Sequence, residues 1–163
     1  MRSLLLAGLA LLVVVLQGSW LTRLGLPLDA PLLLTLATAW WGGRSAATAM
    51  GFWVGALVGA MTGTSVAFAA LYALIGWSAA TLVRQRGTWR AVLLGGGAAL
   101  CFQGLESLMW TVAQHPPQIE PGALVALLVW NGLAMGLLVK VGTKLGVGRS
   151  EGWKDWRPLA YGD

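Results

Sequence analysis

At 163 residues the chain has room for one compact unit and little else. Its residues are 57% hydrophobic and 10% charged, with a mean hydropathy of +0.72, which leaves too few polar side chains to coat a water-soluble globule. The net charge of +5 gathers at the ends of apolar stretches and in the C-terminal tail, so an anionic lipid leaflet, not nucleic acid, is the expected partner of these cations.

Six apolar stretches follow one another, at residues 4–21, 28–41, 46–61, 66–83, 91–113 and 123–139. The first follows Arg2 and ends Leu16-Gln17-Gly18-Ser19-Trp20, without a small-x-small cleavage site, so it is read as a retained helix and not as a signal peptide. Gly25-Leu26-Pro27 closes the first connection. The second stretch has 14 residues, about 21 Å of helix against a hydrocarbon core of roughly 30 Å. It must thin the bilayer, shelter inside the bundle, or borrow Gly42 and Gly43. Pro31 is acceptable in its first turn, where a missing N–H costs nothing. Trp40 and Trp41 are expected at the inner interface, where indoles are favoured. Gly42-Gly43-Arg44-Ser45 makes the next connection.

The third stretch carries Gly51, Gly55, Gly59 and Gly63, preceded by Ala47, and the sixth echoes it with Gly132 and Gly136. A small residue every four positions forms one stripe on which another backbone can approach closely. Such a stripe serves either packing inside the bundle or docking of a partner's transmembrane helix. Thr62-Gly63-Thr64-Ser65 makes the third connection, and residues 84–90 form the longest inner loop. In the fifth stretch Cys101 sits among Ala99, Leu100 and Phe102, as a packing thiol does. Glu106 is the one acid well within a stretch, where a carboxylate is costly and must face protein or water. Gln103, Ser107 and Trp110 lie within a turn of it, and Asn131 in the next stretch is a further partner. Glu106 then either contacts a substrate, ion or partner, or makes a structural bond between helices. The outer loop, residues 115–121, is stiffened by three prolines.

With one crossing per stretch and the N-terminus inside, ten of the eleven Lys and Arg residues fall on one side. Arg2, Arg44, Arg84, Arg86, Arg90, Lys140, Lys144, Arg149, Lys154 and Arg157 lie inside; Arg23 alone lies outside. The positive-inside bias therefore predicts an all-α integral membrane protein. It is a six-helix transmembrane bundle over residues 1–142, with both termini cytoplasmic. Residues 143–163 form a basic aromatic tail, in which Trp153 and Trp156 share a helical face. Together with Arg84, Arg86, Arg90, Lys140 and Lys144 they read as anchors on the membrane surface. An ordinary solvated tail explains residues 143–163 equally well, since Glu151 and Asp155 dilute the charge.

Catalysis has little support. His115 is the only histidine and has no cluster of Cys or carboxylates around it in the sequence, so no metal site is expected. Neither a Gly-x-Ser-x-Gly elbow nor a phosphate-binding GxxxxGK[ST] loop occurs. The expectation is a non-enzymatic protein without a cofactor.

The segment GFWVGALVGAMTG at residues 51–63, followed by TSVAFAALYALIGWSAATLVRQR, resembles the central signature of the MreD family of rod-shape-determining membrane proteins. Overall length, the short second stretch opening Asp29-Ala30-Pro31-Leu32-Leu33, Asn131-Gly132 and the basic C-terminal end are similar too. The family commonly carries an Asp near the positions of Gly59 and Ala60, and this chain has none there. The glycine usual in the following segment is Ala67. The resemblance implies a subunit of the elongation machinery in the bacterial inner membrane, binding MreC and, through it, supporting the MreB filament and the cell-wall synthases. It also implies a six-helix fold like the substrate-binding components of energy-coupling-factor vitamin transporters. A solute-binding transporter component is accordingly the second reading. The scaffold reading predicts short outer loops and no enclosed polar pocket; the transporter reading predicts a polar-lined pocket near the outer surface.

Overall fold

In the computed structural model, residues 2–21, 25, 27–83, 87–112 and 120–147 are described, and among them every regular element is helical. Helix α1 (Arg2–Leu16) passes into a π-helical turn (Gln17–Leu21). Helices α2 (Ala30–Thr62), α3 (Ser65–Leu82), α4 (Thr88–Val112) and α5 (Pro121–Lys144) follow. Three helices, Ala30–Thr62, Thr88–Met109 and Pro121–Lys144, are long and apolar enough to cross a membrane, and Gly8–Ser19 and Val66–Leu82 are shorter apolar helices.

The second and third apolar stretches of the sequence are joined in α2, whose 33 residues are interrupted at one place. Gly43 has φ 80° and ψ −172°, a conformation that only glycine adopts without strain. The two arms of α2 fold back on each other there. A Cβ placed on Gly76 of α3 would lie 2.5 Å from the Ala47 carbonyl oxygen and 3.1 Å from Thr35 Cγ2, although Thr35 and Ala47 would be about 18 Å apart on an unbroken helix. The turn expected over residues 42–45 is thus a single non-helical glycine.

The short first arm takes the sheltered route. Pro31, Leu32, Leu33, Thr35, Leu36, Ala37, Ala39 and Trp40 are all buried, so this arm is surrounded by protein on nearly every side, as an all-round apolar helix must be. Trp40 belongs to this core and not to an interfacial belt; Trp41 is half-buried against Gly142. The second arm packs antiparallel on α3. Ala47, Gly51 and Gly55, successively four residues on, meet Gly76, Tyr72 and Phe68, successively four residues back. Helices α4 and α5 pair the same way, with Gly95 against Asn131, Gly96 against Leu128, and both Gly132 and Gly136 against Val92. Among the described residues the contacts of α2 with α3 and of α4 with α5 are the most extensive, whereas α3 and α4 touch little. Between lipid-facing helices, such backbone proximity supplies the dispersion contacts that apolar transfer cannot.

At one end of the bundle Arg44 lies 5.2 Å over the Trp77 ring and Arg90 lies 5.0 Å over Trp89. Trp41 reaches the last turns of α5 at the same end, beside exposed Lys140 and Lys144. The described cations of these elements thus share an end. Gly18 meets Met61 at the other. Helix α5 continues through Lys144, so the boundary expected at 142/143 falls inside a helix. Arg84, Arg86, Trp153, Trp156 and the loop around His115 lie outside the described residues.

Candidate functional site

The centre of the molecule is a polar knot built around a stretch of non-helical backbone. Residues 27–29 lead into α2, and their peptide groups sit level with Asn131, about 15 Å along α5 from Pro121. Buried backbone outside a helix ladder needs other hydrogen-bond partners. Two amide side chains supply them. Asn131 Oδ1 accepts from the Asp29 N–H at 3.0 Å, and Asn131 Nδ2 donates to the Pro27 carbonyl at 3.1 Å. Gln17 Nε2 donates to the Leu28 carbonyl at 2.8 Å, and Gln17 Oε1 accepts from the Ala30 N–H at 3.1 Å. Four consecutive residues are thus held by side chains from α5 and the π turn.

Asp29 caps α2. Its Oδ1 accepts from the Leu32 N–H at 2.9 Å, and Pro31 occupies the first turn, a pairing of cap and proline that fixes where a helix begins. The Tyr72 hydroxyl donates to the same carboxylate, at 3.4 and 3.3 Å from its two oxygens. Tyr72 is itself buried and lies 4.8 Å from the Phe102 ring, centroid to centroid. Among the described residues, no buried side-chain nitrogen or oxygen lacks a hydrogen-bond partner.

Beside the knot is a cavity of about 290 Å³, bounded by Gln17, Asp29, Phe102, Gln103 and Glu106 among others. Glu106 and Gln103 share one turn of α4 and face Asp29 across it. Asn131 is not the partner of Glu106 that the sequence suggested, because both its amide protons go to the Pro27 and Leu127 carbonyls. The Ser107 hydroxyl likewise donates to the Gln103 carbonyl of its own helix. The Trp110 side chain lies outside the described residues. No group of three or more His, Cys, Asp or Glu able to hold a metal occurs among the described residues.

The structure therefore joins Gln103, Glu106 and Asn131 around one region and adds three residues that no sequence pattern marks as a site: Gln17, Asp29 and Tyr72. Asp29 was readable as a helix cap from Asp-Ala-Pro. Tyr72 carried no signal among its apolar neighbours. The glycine stripe lies elsewhere. Gly51, Gly55 and Gly59 are buried within the chain, and Gly63 is a left-handed helix cap with φ 77°. Gly132 and Gly136 are buried against α4. Cys101, expected in packing, is exposed.

The chain matches no protein-family model, no curated protein and no solved structure.

Proposed function

We propose that this protein is a non-enzymatic, six-span membrane scaffold of the MreD type. In this reading it resides in the bacterial inner membrane, binds MreC, and through it supports lateral peptidoglycan synthesis and rod shape. Division of α2 at Gly43 supports the count of six crossings, and the gathering of Arg44, Arg90, Lys140 and Lys144 at one end supports a cytoplasmic side there. The observation that carries the scaffold reading is the engagement of the polar interior with the chain itself: Gln17, Asn131 and Tyr72 hold residues 27–30 in place. The glycine stripe is covered internally at Gly51 and Gly55, so MreC docks on the outward apolar side chains instead. On α5 these include Val125, Val129, Trp130, Leu133 and Leu137.

The cavity beside Asp29 favours a second reading, a solute-binding component of a vitamin transporter. At about 290 Å³ it sits just below the range usual for ligand pockets, roughly 300–1,000 Å³. Purification from native membranes separates the two. MreC as the main co-purifying protein supports the scaffold; a coupling subunit or a retained vitamin supports the transporter. Retention of MreC binding and cell shape in Glu106→Gln would show that no charge at Glu106 is needed for either.

A further inference from the structure

Helices α3 and α4 are consecutive and yet make little contact, and the space between them is an apolar groove of about 620 Å³. Leu74, Leu82, Leu94, Gly97, Cys101 and Leu105 are among its walls, Trp40 also lines it, and none of its lining residues is acidic. From Arg90 to Leu105 it runs about 22 Å along α4, longer than the roughly 15 Å of one leaflet's hydrocarbon. Nothing lies within 4 Å of where a Gly97 Cβ would stand, so the wall is indented midway. At the end near the α3–α4 connection the lining includes Arg90, whose guanidinium rests 5.0 Å over Trp89. An apolar trough ending in a cation is complementary to an acyl chain ending in an anion.

We infer that this groove is a specific site for an anionic glycerophospholipid, with one acyl chain between α3 and α4 and its phosphate on Arg90. The lining argues for a lipid: its one charged residue, Arg90, stands at the end of an otherwise almost wholly apolar trough, as a headgroup and its chain require. Arg is suited to the phosphate because its planar fork makes two parallel hydrogen bonds. The site is independent of whether the partner is MreC or a coupling subunit.

Native mass spectrometry of the purified full chain, offered phosphatidylglycerol or phosphatidylcholine with identical chains, tests this. Wild type is expected to retain phosphatidylglycerol about fivefold better, the ratio that one cation near the headgroup supplies. Arg90→Gln should lower the ratio by about that factor. Gly97→Trp, filling the indentation, should lower retention of both lipids. Because Cys101 is the only cysteine and lines the groove, phosphatidylglycerol should also slow its maleimide labelling in wild type, a readout that needs no variant to fold. Equal retention of the two lipids by wild type, an unchanged ratio in Arg90→Gln, or labelling of Cys101 indifferent to phosphatidylglycerol would each overturn the site.

Discussion

Asn131 illustrates how one side chain can decide whether a buried connection is tolerable. Its amide bonds residues that lie 102 and 104 positions away in the chain and satisfies backbone groups that no helix ladder pairs. Asn131→Ala should strand the Asp29 N–H and the Pro27 carbonyl, at a cost of about 2–3 kcal/mol. Reversible unfolding in mixed micelles would measure it. Thr38→Ala is the matched control, since the Thr38 hydroxyl only donates back to the Leu34 carbonyl of its own helix; it should change stability by less than about 0.5 kcal/mol. Tyr72→Phe removes a long bond, 3.3 Å at its nearer oxygen, to the Asp29 carboxylate and should cost no more than about 1 kcal/mol in the same assay.

Among the elements, glycine has three separate uses, and substitution by alanine distinguishes them. At Gly55 a Cβ would lie 2.7 Å from Ala69 Cα; helix backbone cannot yield locally, so Gly55→Ala should destabilise by about 1–3 kcal/mol. At Gly43 nothing lies within 4 Å of the added Cβ, yet φ 80° with ψ −172° should make Gly43→Ala cost about 1–3 kcal/mol through backbone strain alone. Gly97 has neither constraint, and Gly97→Ala should stabilise α4 by roughly 0.5–1 kcal/mol. Thermal unfolding of the three variants side by side should give two losses and one gain. A loss at Gly97 would mean that α3 and α4 pack more closely than described.

Across the whole molecule, periodic composition carried most of what could be read from the chain. Apolar runs, the Gly42–Ser45 break and the stripe of Ala47, Gly51 and Gly55 are local patterns with a fixed physical meaning, and each has a counterpart in the bundle. The short second stretch posed a choice among thinning, shelter and borrowing that sequence left open, because shelter depends on neighbours from α3 and α5. The polar knot was illegible for the same reason. Gln17, Asp29, Tyr72 and Asn131 are scattered over more than a hundred positions, and no spacing rule links them. Partners of Gly51 and Gly55 were equally hidden: a small-residue stripe announces a close contact and not whether its occupant is internal.

Everything at this scale depends on the reversal within α2, since it sets the number of crossings and places the first arm beside α3. Spin labels at Ala30 and Ala60, in a chain with Cys101 replaced by serine, measure it by double electron–electron resonance in lipid nanodiscs. An uninterrupted helix would hold the two positions about 45 Å apart. With arms of about 20 and 26 Å folded back at Gly43, the main distance is expected below about 25 Å; a distribution centred near 45 Å would contradict the reversal.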